Sequence, residues 1–300
     1  MIRFLRFLVV CLAISITGGC DAQSSQTITE SQQFKFVHDI SRYGVKWWNP
    51  SSVQLHATPP IGVILPKFSG DKQLYGEIRL GDTEDPFFII ALDIFGDRES
   101  LHHTDFYLDR NKNRDLSDDG APIELEPRRS TEIPTFQIPY RNGVSKPYKF
   151  RVSNTYMAGR NSYLFSYTRS CGWLGKAKVS AALPEKPVLL LDDNNDGLYG
   201  SQNTHKGGVD RFVIDLNDDG FLDASSNGPE TFAYFYPFKI GENVYQAQNT
   251  STDGGSIVFE QMTLAALSGK ITDEKSRHNI EGASVKGLSL IHISEPTRLQ

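Results

Sequence analysis

Three short segments of the chain place oxygen-bearing side chains at every second position, a spacing that suits a hard divalent cation. In each segment Asp or Asn stands at positions 1, 3 and 5, and in the second and third segments Gly stands at position 6. Calcium takes about six to eight oxygen ligands, and Gly at position 6 permits the tight curl that brings alternate side chains onto one ion. The predicted ligands are Asp109, Asn111, Asn113 and Asp115 in loop 1 (109–115); Asp192, Asn194 and Asp196 in loop 2 (192–197); and Asp215, Asn217, Asp219 and Asp223 in loop 3 (215–223).

These segments resemble the calcium loops of EF-hands, dockerins and related extracellular modules, whose pattern is D-x-N-x-D-G. Loop 3 matches most closely, because Asp223 also stands at position 9. Position 12, where an EF-hand has a bidentate Glu, is Gly120, Asn203 or Ser226, and no amphipathic helical pattern follows any loop. The resemblance therefore implies the loop chemistry without the helix–loop–helix fold. The remaining oxygens must come from elsewhere, and the candidates are Asp210, Glu230 and Glu124.

The alternative is that Asp, Asn and Gly only form turns between strands. Loop 1 is the weakest match, since Arg114 replaces Gly and Arg110 and Lys112 add positive charge. The segment 93–97 aligns with loop 2 but has Phe95 at position 3, so we expect it to be degenerate. Extracellular calcium modules bind at roughly 10⁻⁴ to 10⁻³ M, which favours a structural rather than a signalling ion.

The stretches around the loops alternate like β-strands and occur twice in the same order. The aligned blocks are 75–93 with 174–192, 106–116 with 212–222, and 139–155 with 237–250. Short apolar runs separated by Gly, Pro, Asn and Asp clusters are typical of sandwiches and barrels. The sequence predicts an all-β fold made of a tandem pair of related β-sandwich-like repeats, 73–170 and 171–267, with the acidic loops at strand ends.

Residues 1–19 have the layout of a secretory signal, in which Arg3 and Arg6 precede an apolar run too short to span a bilayer. The sequence Thr-Gly-Gly-Cys ending at Cys20 resembles the lipobox of bacterial lipoproteins, although Thr17 stands where that family usually has Leu. The resemblance implies export, lipidation of Cys20 and attachment to a bacterial membrane on its periplasmic face or at the cell surface. The alternative is a plain secretory signal that is cut near Ala22.

The segments before and after the two repeats differ from them in sequence. Residues 20–33 are expected to form a flexible tether that leads into an N-terminal segment, 34–72. Residues 268–287 resemble the opening of a carboxypeptidase regulatory-like domain, on the evidence of Gly-Lys-Ile-Thr-Asp at 269–273 and the apolar pattern at 280–285. Residues 288–300 resemble a translated sequencing adapter, and we exclude them from the fold.

The net charge and the sequence motifs limit the functions that the chain could have. A formal net charge of −5 disfavours nucleic-acid binding, and the chain has no nucleophile elbow, Cys-x-x-Cys, phosphate loop or His-Glu-x-x-His. Cys171 would be the one free thiol of the mature chain, and a buried apolar role suits it better than a reactive one. We predict a non-enzymatic, lipid-anchored calcium-binding protein with a structural, adhesive or scaffolding role, whose candidate partners are the membrane and an envelope protein, surface protein or glycan. The alternative is the non-catalytic N-terminal part of a larger envelope hydrolase or thiol–disulfide enzyme.

Overall fold

A computed structural model describes residues 34–45, 49–96, 103–126, 129–157, 162–180, 183–200, 209–225, 228–249 and 251–262. All of them belong to one compact unit, Met1–Met262, and the second unit is Thr263–Gln300. The predicted signal (1–19), Cys20 with the tether (20–33), the domain opening (268–287) and the adapter-like end (288–300) lie outside the described residues. In the described part of the chain there is no helix with the length and apolar character needed to cross a membrane.

The regular secondary structure of the described residues is nearly all strand, which confirms the all-β prediction. Beyond one 3-10 turn, Ser41–Tyr43, the elements are antiparallel strands that form several sheets. In chain order they are β1 Lys35–Val37, β2 Ser51–Val53, β3 Lys72–Arg79, β4 Phe87–Phe95, β5 His103–Leu108, β6 Ile123–Leu125, β7 Ser130–Glu132, β8 Phe136–Pro139, β9 Ser145–Tyr148, β10 Phe150–Met157, β11 Ser162–Arg169, β12 Gly172–Lys178, β13 Glu185–Leu191, β14 Arg211–Ile214, β15 Thr231–Ala233, β16 Phe238–Ile240, β17 Asn243–Asn249 and β18 Ile257–Met262.

Two antiparallel meanders carry the loops. Strands β3-β4-β5-β6 form one sheet in sequential order, and β12-β13-β14-β15 form another, to which β1 adds at the β12 edge. The other sheets are β2-β11-β10-β7, β16-β17-β18 and the hairpin β8-β9. Each acidic loop begins at the residue after a meander strand ends: loop 1 after β5, loop 2 after β13 and loop 3 after β14.

Two large apolar cores lie behind the meanders. The first core contains Phe88 and Ile90 of β4 together with Phe150 and Phe165 of β10 and β11. The second core contains residues of β13 and β14 together with residues of β17 and β18, namely Val188, Leu190, Phe212, Ile214, Tyr245, Ala247, Ile257 and Phe259. Each core is therefore lined by side chains from two sheets, as burial of one face of each sheet requires.

The two meanders differ by one residue in the pairing of their first hairpin. Gly76 lies opposite Ile90, whereas Gly175 lies opposite Val188 rather than Leu189, which the gapless alignment would place there. Asp93 therefore lies within β4, opposite Asp105, and does not follow a strand end as Asp192 does. The buried Asp93 carboxylate accepts hydrogen bonds from the backbone of residues 69 and 70 and from a glutamine amide at 73, so it holds the start of β3.

Candidate metal sites

The three loops share one backbone conformation. Their fourth and sixth residues all have left-handed φ angles: Lys112 60° and Arg114 65°, Asn195 57° and Gly197 76°, Asp218 60° and Gly220 77°. A left-handed conformation costs a non-glycine residue about 1–2 kcal/mol, so its recurrence at matching positions reflects a common loop geometry. Loop 1 adopts this geometry even though Arg114 replaces the expected glycine.

The same hydrogen bonds also recur inside each loop. The position 1 carboxylate accepts the N–H of position 6, with N···O distances of 2.9 Å at Asp109, 2.8 Å at Asp192 and 3.1 Å at Asp215. The position 3 amide oxygen accepts the N–H of position 5 at 2.9 to 3.0 Å, and the position 5 oxygen accepts the N–H of position 7 at 2.8 to 2.9 Å. These bonds fix the oxygens of positions 1, 3 and 5 relative to one another.

Loop 2 brings three buried carboxylates together. One oxygen each of Asp192, Asp196 and Asp210 lies within 4.8 Å of the others, and this is the group of three acids with such spacing among the described residues. Ligands of one calcium ion stand about 2.3–2.6 Å from it, and therefore up to roughly 5 Å from each other. The spacing fits a single ion. Asp210 lies just before β14, and its Oδ1 accepts the N–H of Asp193 at 3.0 Å.

The Asp192 carboxylate of this group is destabilised by burial and by its acidic neighbour. Burial raises the pKa of Asp192 to about 7, and the Asp196 carboxylate contributes in the same direction. The Tyr148 hydroxyl donates to Asp192 Oδ2 at 2.6 Å, and the fully buried Arg169 also acts against the rise. Arg169, however, forms its ion pair with the neighbouring Asp193. A bound cation would offset the cost of burying several carboxylates side by side.

Loop 2 also contacts residues well outside the second meander. The Tyr140 hydroxyl donates to the Gly197 carbonyl at 2.6 Å, and the Gly81 N–H donates to the Asp196 carbonyl at 2.8 Å. On the N-terminal side, the Ser51 hydroxyl donates to the Asn194 carbonyl at 3.0 Å. Loop 2 thus follows a strand of the second core and bonds to elements that line the first.

Loop 3 is more open but has two buried acids. Asp215 and Glu230 are each 3% exposed, whereas Asn217 and Asp219 are exposed. The Glu230 carboxylate accepts three backbone N–H groups of the loop, from residues 216, 217 and 223, at 2.8, 3.3 and 3.1 Å. Asp215 Oδ1 is buried, and no donor among the described residues reaches it.

Loop 1 is also partly exposed. Its buried acid is Asp109, and the Asp115 carboxylate accepts hydrogen bonds from the Ser117 N–H and hydroxyl. Asp119 accepts the Arg110 N–H at 3.0 Å, and burial, followed by the nearby acids, raises the pKa of Asp119. Sequence spacing did not single out Asp119.

Of the three acids proposed from sequence to supply further oxygens, two lie at loops. Asp210 joins the loop 2 group and Glu230 binds the backbone of loop 3. Glu124 is exposed in β6 opposite Asp105, and none of the described contacts joins it to loop 1. Its assignment is therefore corrected: Asp119 approaches loop 1 from the chain that directly follows the loop.

Cys171 is a fully buried free thiol in the first core, in line with the apolar role expected from sequence. Burial raises its pKa to about 12, and its sulfur accepts the Lys149 N–H at 3.2 Å. A thiol of this kind is a poor nucleophile at neutral pH.

Comparisons of the chain with protein-family models, with curated proteins and with solved structures give no match. Functional inference therefore rests on the loops, whose geometry recurs three times, and on the acids that surround them. What these loops could do chemically is hold a hard cation with oxygen ligands.

Proposed function

We propose that this protein is an exported lipoprotein that binds calcium in its acidic loops and uses the ion to hold its β-structure together. The observation that carries the proposal is the group of Asp192, Asp196 and Asp210, whose buried carboxylate oxygens lie within 4.8 Å of one another. Loops 1 and 3 support it, because they repeat the backbone conformation of loop 2.

The choice of calcium follows from the ligand chemistry. The loops present carboxylate and amide oxygens, which hard cations prefer, and the acid group of loop 2 contains neither a His nor a Cys. Magnesium demands nearly ideal octahedral geometry and keeps several waters, whereas calcium accepts larger and less regular oxygen sets. A curled loop with ligands at alternate positions and a buried acid nearby suits calcium.

The position of loop 2 favours a structural role over a signalling one. Its first residue directly follows β13, a strand of the second core, and its backbone accepts hydrogen bonds from Tyr140, Gly81 and Ser51. An ion bound there would tie together elements that belong to different sheets. A scaffolding or adhesive protein is the corresponding function, with the membrane as one partner through lipid on Cys20 and an envelope protein, surface protein or glycan as the other.

Calorimetric titration of the full chain in detergent tests calcium binding. We expect a dissociation constant of roughly 10⁻⁴ M or below, because at least one site is buried and its acids are pre-positioned. The double variant Asp215→Asn, Asp219→Asn should lose the heat of binding at loop 3. Asp39→Asn, whose carboxylate accepts hydrogen bonds from Ser41 away from the three loops, should keep the full heat of the parent chain. Absence of any calcium heat from the parent chain contradicts the proposal.

The membrane anchor is tested separately. Cys20→Ala should move the protein from the membrane fraction to the soluble fraction, because a multiply acylated cysteine holds a protein stably and a free N-terminus does not. Cys171→Ala, which changes the buried thiol, is the control and should remain in the membrane fraction. Equal partitioning of the Cys20→Ala and parent proteins contradicts lipidation at Cys20.

A further inference from the structure

In all three loops the N–H of the second position donates to a carboxylate that lies outside the ligand pattern. The bonds are Arg110 N to Asp119 Oδ1 at 3.0 Å, Asp193 N to Asp210 Oδ1 at 3.0 Å, and Leu216 N to Glu230 Oε1 at 2.8 Å. The three acids reach this N–H by different routes: Asp119 comes from the chain just after its loop, Asp210 precedes β14, and Glu230 precedes β15. In each loop, therefore, an acid from a different part of the chain accepts a hydrogen bond from the same backbone N–H.

In loop 2, the acid on the second-position N–H lies close to the predicted ligand oxygens. Asp210, which is held by the second-position N–H, has a carboxylate oxygen within 4.8 Å of oxygens of Asp192 and Asp196. The same N–H therefore positions an acid beside position 1 and position 5. Loops 1 and 3 share the backbone conformation of loop 2 and hold an acid on the same second-position N–H. Among the described residues, it is in loop 2 that three carboxylates lie within 4.8 Å of one another.

A second observation in loop 3 points independently to a bound cation. Asp215 is 3% exposed, and its Oδ2 accepts the Gly220 N–H, so its carboxylate is directed into the loop. Its Oδ1 is buried, and the part of the chain that the structure describes offers it no hydrogen-bond donor. A buried carboxylate oxygen without a partner is costly, and a cation in the loop would satisfy it.

We infer that Asp119, Asp210 and Glu230 are the completing ligands of three separate calcium ions, one in each loop. The inference rests on the proposed function and adds the acids that close the sites. Positions 1, 3 and 5 alone give too few oxygens for an ion that takes about six to eight. An outside carboxylate adds one or two oxygens and the negative charge that the Asn residues of the pattern do not supply.

Equilibrium dialysis of the full chain in detergent, followed by metal analysis, tests this assignment. The parent chain should bind three calcium ions at saturation. Glu230→Gln, Asp210→Asn and Asp119→Asn should each weaken one site by at least about tenfold, which leaves two ions bound at a subsaturating concentration. Glu124→Gln is the matched control: it neutralises an exposed acid of β6 and should still bind three.

The outcomes separate the inference from the proposed function. If the parent chain binds no calcium, the proposed function fails and the ligand assignment with it. If the parent binds calcium and all three variants bind with the same affinity and stoichiometry, the proposed function stands and the assignment is overturned. Circular dichroism in chelator detects a variant that does not fold. Asp119→Asn changes a partly exposed acid just after loop 1, so it provides the test even if a variant of a buried acid fails to fold.

Discussion

Asp192 combines two properties that a folded protein seldom leaves uncompensated: it is fully buried, and another buried carboxylate adjoins it. Its hydrogen bonds from Tyr148 and the Gly197 N–H favour the charged form, but burial and Asp196 together still raise its pKa to about 7. A further positive charge beside Asp192 would favour its charged form. Asp193, next in the chain, pairs with two cationic side chains, those of Arg169 and Arg211.

Cys171 provides a residue-level prediction that does not depend on calcium. With a pKa of about 12, roughly one thiol in ten thousand is ionised at pH 8, whereas an unfolded cysteine is about a quarter ionised. In a chain with Cys11 and Cys20 replaced by Ser, a thiol reagent at pH 8 should label the native protein far more slowly than the protein in denaturant. Comparable labelling rates in the two states contradict the burial of this side chain.

The proposed ligand residues divide into those that local sequence indicates and those that it does not. Positions 1, 3 and 5 lie within a few residues of one another, so their spacing and the Gly at position 6 indicate them directly. Asp210 and Glu230 reach the loops through tertiary structure, and the sequence indicates them only as nearby carboxylates. Asp119 lies just after loop 1 but outside the pattern, and the sequence suggests Glu124 in its place.

At the level of elements, loops 2 and 3 differ in how closely they are packed, and their glycines test this difference. Both Gly197 and Gly220 have left-handed φ angles. A Cβ on Gly197 would lie 2.9 Å from Ile138 Cδ1 and 3.0 Å from the Gly81 backbone nitrogen, whereas a Cβ on Gly220 meets nothing within 4 Å. The two substitutions to Ala therefore share the backbone strain and differ in the steric clash.

Gly220→Ala should cost about 1 kcal/mol in free energy of unfolding, from the left-handed conformation alone. Gly197→Ala should cost at least about 2 kcal/mol, because the clash with the neighbouring hairpin adds to the strain. Urea unfolding of both variants in chelator measures the difference without a contribution from calcium. Equal losses would show that loop 2 is not packed against the hairpin that contains Gly81.

Sequence periodicity predicts the strands of this fold but not the register in which they pair. The sequence predicts strands around each acidic loop, and the all-β architecture is confirmed. In β4 and β13, however, consecutive residues such as Ile89 and Ile90, or Leu189 and Leu190, are all buried. A strand that is apolar on both faces has no alternation to set its phase, so a one-residue slip in alignment goes unnoticed. Hairpin pairing had to come from the structure.

At the level of the whole molecule, loop 2 connects the sheets of both cores. The Tyr140 and Tyr148 side chains belong to the first core, and their hydroxyls donate to Gly197 and Asp192, which follow a strand of the second. If calcium binds there, its removal increases the repulsion among the neighbouring carboxylates at the junction. The stability of the whole unit, rather than of one loop, should then depend on the ion.

The most direct test is the melting temperature of the full chain in 1 mM calcium and in chelator, at about pH 7.5, with two variants beside it. A site with a dissociation constant of roughly 10⁻⁴ M contributes about 1.4 kcal/mol at this concentration, which corresponds to a rise of roughly 3–6 °C. The variant Asp192→Asn, Asp196→Asn should lose the part of the rise that the loop 2 ion contributes. Asp93→Asn, which alters a buried Asp outside the loops, should melt lower but keep it.

We expect a calcium-dependent rise in the parent chain and in Asp93→Asn, and a smaller rise in the loop 2 variant. An identical melting temperature for the parent chain in calcium and in chelator would contradict it.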